Sequence, residues 1–258
     1  MDRRILEKRA EVLGKVYETN TCGKCVVIEY NRKRDVLVKF YEPECVVRCC
    51  ITNLERGGVF NPMYPTFYGK GFIGVGKYSS HNKEPFKLWC SILHRLNSEK
   101  SLIKHPEYVG VSLCKEWLNF QNFAVWFYGQ EFCMSKDNNG RKYHLDKDIL
   151  SGKSKIYSSE TCCFVPQDIN SLLTLRGNHR GKYPLGVYFN AVSRKYVAYV
   201  NYYKKRKQLG TYTTLEEAFL AYKRAKEGYV KEVANKWKGR ISNQAYEALI
   251  KWDISIDD

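Results

Sequence analysis

The chain has 258 residues, 44% of them hydrophobic, which is enough to build folded cores and excludes an intrinsically disordered protein. Its 43 Lys and Arg against 27 Asp and Glu give a formal net charge of +16, which favours a polyanionic partner: nucleic acid first, an anionic membrane surface second. A basic protein that is merely soluble is the alternative. No apolar run approaches the about 18 residues that span a bilayer, and the N-terminus lacks the apolar stretch of a secretory signal. We therefore expect a cytoplasmic protein with no membrane partner and no small-molecule substrate.

The N-terminal part, residues 1–70, is predicted to be a short helix followed by a β-rich module. Apolar residues recur at helical spacing over residues 4–13. Segments 25–30 and 35–41 are rich in β-branched and aromatic residues and are separated by a basic stretch that suits a turn. Glycines and prolines in 57–65 then interrupt regular structure, and we place a boundary there or shortly after.

Ten cysteines are scattered along the chain without an export signal, which favours reduced thiols over disulfides. The one Cys-x-x-Cys pair, Cys22 and Cys25, lies where a hairpin turn is expected, and no second pair completes a tetrahedral zinc site. The remaining candidates for such a site are Cys45, Cys49 and Cys50. We do not expect structural Zn²⁺.

The central part, residues 71–175, begins with two helical patterns. One runs from Pro85, and the second contains the aromatic residues of segment 117–127, a stripe that we interpret as core. A strand-like segment, a loop around Gly152, a second strand-like segment and a helix beginning near Pro166 follow.

The C-terminal part, residues 176–258, is predicted to be three strands and a helix. The strands are 186–190, 195–201 and 207–212, and the helix begins at Thr214 with a capping box. The predicted fold class is α+β: an N-terminal β-rich module, a ββα-type centre with helices, and a C-terminal three-stranded antiparallel sheet packed on a helix.

Alternation divides these strands into two faces. The apolar face, which matches the apolar stripe of the helix, holds Val187, Phe189, Tyr196, Ala198, Val200 and Leu209. The opposite face holds Tyr188, Asn190, Lys195, Val197, Tyr199, Asn201 and Gln208. Nine basic residues and no Asp or Glu lie in this region: Arg176, Arg180, Lys182, Arg194, Lys195, Lys204, Lys205, Arg206 and Lys207. Basic loops beside a polar face suit a sheet in the major groove of DNA, and a solvated face with a charged hairpin is the alternative.

Four segments here resemble the Apetala/ethylene-response-factor DNA-binding domain: Gly186-Val-Tyr, Lys195-Tyr-Val-Ala, Leu209-Gly-Thr-Tyr-Thr-Thr and Glu216-Glu-Ala-Phe-Leu-Ala-Tyr222. In that family the sheet recognises bases and contacts phosphates in the major groove of duplex DNA. The resemblance implies such contacts for Tyr188, Asn190, Lys195, Val197, Tyr199, Asn201, Arg206 and Gln208, and the basic residues Arg194 and Lys205 complete the predicted set. The plant domains carry arginines and tryptophans at several of these positions, so the sequence preference must differ.

Alternation also places His144, Asp146 and Asp148 on one face of the predicted strand 144–148. Two carboxylates and an imidazole on one face can bind a divalent metal and activate water, with Asn170 as the candidate further ligand. A charged surface strand is the alternative.

Segments 145–149 and 157–170 resemble the HNH, or His-Me finger, nuclease motif of phage homing endonucleases, in which an Apetala-type domain can follow. The resemblance implies a two-strand-and-helix finger that holds one Mg²⁺ or Mn²⁺ ion against the scissile phosphate, with Asp146 and Asn170 as ligands. It also implies the cytoplasm of the host cell if the chain is phage-encoded.

The resemblance departs at Lys147, because the family's catalytic histidine directly follows the first metal ligand. His144 could instead serve as the base, Asp148 could join the metal, or the finger could survive only as a DNA-binding scaffold; the Lys147 ammonium is a poor base but can hold a phosphate. We expect a metal-dependent DNA endonuclease with recognition by residues 177–240. A non-catalytic DNA-binding regulator is the first alternative, and an RNA-binding protein is the second.

Overall fold

The computed structural model describes residues 3–152, 154–173, 182–203 and 205–257. The predicted basic residues Arg176, Arg180 and Lys204 lie outside the described residues. The chain divides into two compact units, residues 1–127 and 128–258. The predicted α+β fold class is confirmed. None of the helices in the described ranges combines the length and the apolar character needed to span a bilayer.

The first unit begins with a helix and a four-stranded antiparallel sheet of order β1-β2-β3-β4. The elements are α1 (Arg3–Val12), β1 (Val16–Thr19), β2 (Gly23–Arg32), β3 (Asp35–Tyr41), β4 (Glu44–Cys49) and α2 (Ile51–Glu55). The predicted helix, the two strands and the turn between them are confirmed. Alternate residues of β3, Val36, Val38 and Phe40, are fully buried, so one face of the sheet forms a core with α1 and α2.

Cys22 and Cys25 are both fully buried in this core. Burial raises the pKa of the Cys25 thiol, and it raises that of Cys49 to about 11. Thiols with raised pKa values stay protonated at neutral pH and pack as small apolar groups.

The rest of the first unit is mainly helical. Its elements are α3 (Lys83–Asn97), α4 (Glu99–Lys104), the short strand β5 (Ser112–Leu113) and α5 (Phe120–Gly129). The aromatic core is confirmed: Trp89 and Phe120 are fully buried, and the Trp89 indole N–H donates to the carbonyl oxygen of Trp117 at 2.7 Å. The prediction that Trp117 belongs to the second helix is wrong. Trp117 lies in a separate 3-10 turn, and Asn119 accepts a hydrogen bond from the backbone N–H of Gln121, which marks a new helix start.

The second unit contains the segment that we call the finger, residues 144–170. Its elements are β6 (His144–Asp146), β7 (Ile156–Tyr157), β8 (Cys163–Val165) and α6 (Gln167–Asn170). β6 pairs antiparallel with β8, with His144 opposite Val165 and Asp146 opposite Cys163. The predicted order of strand, loop, strand and helix is confirmed.

The C-terminal sheet is antiparallel and has the order β11-β10-β9. The elements are β9 (Val187–Asn190), β10 (Lys195–Tyr202), β11 (Lys205–Tyr212), α7 (Leu215–Lys236) and α8 (Asn243–Lys251). The capping box is confirmed: the Thr214 hydroxyl accepts the N–H of Glu217, and the Glu217 carboxylate accepts the N–H of Thr214, both at 3.2 Å. β11 begins two residues earlier than predicted, because Lys205 pairs with Tyr202.

Helix α7 covers one face of this sheet. The buried core between them holds Val187, Ala198, Val200, Ala218, Phe219, Tyr222 and Ile254. Tyr196 and Leu209 pack against it as predicted. Phe189 was predicted on the same face, but it lies near the end of the edge strand β9, where its partly exposed ring packs against Tyr183 and Tyr196.

Candidate nucleic-acid interface

The face of the C-terminal sheet that α7 does not cover is the candidate interface, and we call it the open face. It carries Tyr188 and Asn190 from β9, Lys195, Val197, Tyr199 and Asn201 from β10, and Arg206, Gln208 and Thr211 from β11. The strand register brings these residues together: Tyr188 pairs with Val197, Tyr199 with Gln208, and Asn201 with Arg206. Every predicted contact residue of the strands except Lys205 therefore lies on one continuous surface.

Thr211 is the open-face residue that sequence reasoning missed. Strict alternation from Gln208 would place Gly210 on the open face. The pairing register shifts between Ala198 and Tyr199, however, so β11 contains one extra residue, Leu209, as a bulge. Leu209 packs on the core while Gln208 and Thr211 both point to the open face. A glycine inside a strand pattern was the available signal for such a bulge.

The centre of the open face is a stack of one guanidinium on two tyrosine rings. The guanidinium carbon of Arg206 lies 3.6 Å from the ring centre of Tyr199 and 5.5 Å from that of Tyr188. The two ring centroids are 6.0 Å apart. The short distance to the Tyr199 ring is a cation–π contact. Arg206 has no ion pair or hydrogen bond among the described residues, so its N–H groups are available to a ligand.

Below this stack is a shallow depression of about 490 Å³. It is lined by Tyr188, Val197, Tyr199, Arg206 and Gln208. Val197 is only 3% exposed and forms the floor, while the longer side chains form the rim.

Asn190 contributes to the β9–β10 turn as well as to the open face. Its side-chain oxygen accepts the N–H groups of Val192 at 3.0 Å and Ser193 at 3.2 Å. Only its amide N–H₂ therefore remains for a ligand. The turn also exposes Arg194, which adopts a left-handed φ of +54°, and Lys195 follows it.

The other end of β10 is attached to α7. The hydroxyl groups of Tyr202 and Tyr203 both donate to the carboxylate of Glu232. The hydrogen bond between Tyr202 and Glu232 raises the pKa of Tyr202 to about 12. The Tyr229 ring centroid lies 4.4 Å from that of Tyr202, so the two rings pack directly against each other. We therefore assign this cluster a structural role.

The charge around the open face has one sign. No Asp or Glu occurs between Asp168 and Glu216, and the open face and its turns lie within that range. Arg206 and Lys205 are exposed on β11. Such a surface attracts phosphates at long range.

The second predicted site lies at the end of β6. Asp146 is 8% exposed, and its Oδ1 accepts the N–H groups of Asp148 at 2.8 Å and Ile149 at 2.9 Å. Burial raises the pKa of this carboxyl, and the two N–H groups oppose that shift. The prediction that the strand continues to Asp148 is wrong. The Asp146 carboxylate accepts the N–H groups two and three residues later and so starts a turn, which takes Asp148 out of the strand.

The remaining finger residues differ in their surroundings. His144 is exposed at the start of β6. The largely buried side chain of Lys147 forms an ion pair with Asp148. Asn170 is the last residue of α6, which packs against β6. In the ranges that the structure describes, no three His, Cys, Asp or Glu side chains are grouped so as to hold a metal ion, so an ion at Asp146 needs Asn170 or phosphate oxygens as further ligands.

Helix α7 and the turn after it contact the segments on either side of the finger within the second unit. The Tyr143 hydroxyl donates to the carbonyl oxygen of Arg240 at 2.9 Å, and Arg240 Nη1 donates to Asn138 Oδ1 at 3.2 Å. The Lys226 ammonium donates to the carbonyl oxygen of Leu172 at 2.7 Å, and burial lowers its pKa. These contacts join residues far apart in the sequence and had no local signal.

No family model, no curated protein and no solved structure matches this chain. The two resemblances described above therefore stay predictions from the residues. The function has to be argued from the geometry of the open face and of the finger.

Proposed function

We propose that the protein binds duplex DNA through the open face of its C-terminal sheet. The observation that carries this proposal is the Arg206 guanidinium, which lies over the Tyr199 ring, has no ion pair or hydrogen bond among the described residues, and belongs to a face without carboxylates. β-Strands can enter the major groove of DNA, where base edges offer hydrogen-bond donors and acceptors.

The open-face residues and the basic residues beside them divide into two roles. The amide groups of Asn201 and Gln208, and the fork of Arg206, suit hydrogen bonds to base edges. The flexible ammonium groups of Lys195 and Lys205, and the turn residue Arg194, suit phosphates, which fix the register of the sheet on the duplex. Asn190 has only donors left, so it suits an acceptor such as a phosphate oxygen.

Binding of the full chain to random-sequence duplex DNA and to RNA of the same length, at matched salt, tests this proposal. We expect tighter binding to duplex DNA, with an affinity that falls as salt rises by a log–log slope of about −0.9 for each phosphate contacted. Equal or tighter binding to RNA would favour the RNA-binding alternative. An affinity independent of salt would exclude the basic open face as the contact surface.

Metal-dependent hydrolysis of DNA at the finger is the second candidate function. It is supported by the β6–β8 pair followed by α6, with Asp146 at the end of the first strand. In this proposal Asp146 and Asn170 would hold Mg²⁺ or Mn²⁺, which would supply charge stabilisation at the scissile phosphate, and the exposed His144 would accept a proton from the attacking water. A DNA-binding protein without this activity is the alternative.

We expect Asp146→Asn to lower nicking of supercoiled DNA in Mg²⁺ or Mn²⁺ by at least about tenfold, because metal-ion catalysis contributes several kcal/mol to the rate. Asparagine keeps an Oδ1 that can accept the two N–H groups of the turn, but it lacks the charge that holds a cation. Asp168→Asn, an exposed carboxylate on α6, is the matched control and should cut normally. Equal cutting by both variants would exclude Asp146 as a metal ligand, and tight binding without cutting by the wild type would favour the non-catalytic alternative.

A further inference from the structure

We propose that the depression above Val197 receives the C5-methyl group of a thymine when the open face binds duplex DNA. The inference rests on the proposed DNA binding and names one feature of the DNA that is recognised. Val197 is the only aliphatic side chain among the described residues of the open face. It pairs with Tyr188 on one side and with Thr211 on the other.

The surface around Val197 is concave. A short side chain lies between the longer side chains of Tyr188, Tyr199 and Gln208, and Arg206 reaches over the tyrosine pair. The floor is therefore apolar and lies below a polar and aromatic rim. A group that reaches the Val197 side chain therefore has to project from the surface of the DNA.

The base edges in the major groove of DNA present hydrogen-bond donors and acceptors, and the only apolar group among them is the C5-methyl of thymine. Polar base atoms placed against Val197 would lose water without gaining a partner, which is unfavourable. A methyl group loses no hydrogen bond there and gains apolar contact.

Gln208 makes the same base pair the natural partner of this surface. It lies on the rim of the depression, directly opposite Tyr199 in the neighbouring strand. A glutamine amide can form two hydrogen bonds with adenine, the partner of thymine. The depression and its rim are therefore suited to a T·A pair.

The test replaces thymine by uracil, which removes only the methyl group. Duplexes that bind the full chain are first selected from a random-sequence pool, and each thymine of a selected duplex is then changed to uracil in turn. We expect one position at which the affinity falls about fourfold, which corresponds to about 0.8 kcal/mol for burial of one methyl-sized group.

Two variants assign that effect to the depression. Val197→Ala and the isosteric Val197→Thr should both reduce the difference between thymine and uracil, and the second serves if the first folds poorly. Val192→Ala makes the same chemical change at a turn residue that is 96% exposed, and it should keep the full difference.

Each outcome has a distinct meaning. A complete absence of duplex binding would overturn the proposed function and this inference together. Binding that is indifferent to uracil at every position would overturn only the inference. Sensitivity to uracil that persists in both Val197 variants would place the methyl group against another residue and would also overturn it.

Discussion

Replacing Gly186 with alanine is expected to unfold the C-terminal sheet at conditions where the wild type is stable. Gly186 adopts a φ of +73°, and a Cβ there would lie 2.0 Å from Cδ2 of the Tyr222 ring. Tyr222 is buried in the core under α7, and the Gly186 carbonyl oxygen accepts the N–H of Tyr199 at 2.8 Å. Neither the Tyr222 ring nor the backbone of residue 186 can move without loss of core packing or of this hydrogen bond. We expect the free energy of unfolding to fall by roughly 3 kcal/mol or more, from backbone strain and overpacking together.

Gly239→Ala is the matched control for this prediction. Gly239 has nearly the same φ, +74°, but no atom lies within 4 Å of an added Cβ. It should lose only the about 1–2 kcal/mol of the left-handed conformation. Urea unfolding of both variants, followed by circular dichroism, measures the difference. Similar losses in the two variants would contradict the contact between residue 186 and the Tyr222 ring.

Arg206→Ala is expected to weaken duplex binding roughly five- to 150-fold, because a fork of donors held against an aromatic ring contributes about 1–3 kcal/mol at a base edge. The stacked geometry is essential to this expectation, since the guanidinium carbon lies 3.6 Å from the Tyr199 ring centre. Arg206→Lys keeps the charge but lacks the planar fork, so we expect it to restore only part of the affinity.

Arg224→Ala removes the same charge from an exposed position on α7, the helix that covers the opposite face of the sheet. It should change affinity little at moderate salt, where distant charges are screened. Titration of a fluorescent duplex with all three variants measures the effect. Equal losses for Arg206→Ala and Arg224→Ala would mean that net charge, and not the open face, determines binding.

Local patterns predicted much of the second unit. The capping box at Thr214 follows from residue types three positions apart. Alternation and turn residues predict the boundaries of β9 and β10 to within one residue. These patterns depend only on residues close together in the sequence, and the structure contains the elements that they predicted. Tyr188, Val197 and Tyr199 were assigned to one face by alternation alone, and they do line one depression.

What the sequence did not predict depends on register and on distant contacts. The bulge at Leu209 adds Thr211 to the open face, because pairing with β10 and not alternation within β11 determines the faces there. Asp148 leaves the strand because a carboxylate two residues earlier captures its N–H. The contact of Lys226 with Leu172 joins residues that no local pattern relates.

The central claim is that the open face contacts duplex DNA. Site-specific photo-cross-linking tests it most directly. Tyr188, 39% exposed on the open face, and Leu220, 49% exposed on α7, are each replaced by benzoylphenylalanine in the full chain. Because the two positions are similarly exposed, a difference in yield reports which face meets the duplex. We predict efficient cross-linking from position 188 and little from position 220. Cross-links from position 220 alone, or equal yields from both, would contradict the account.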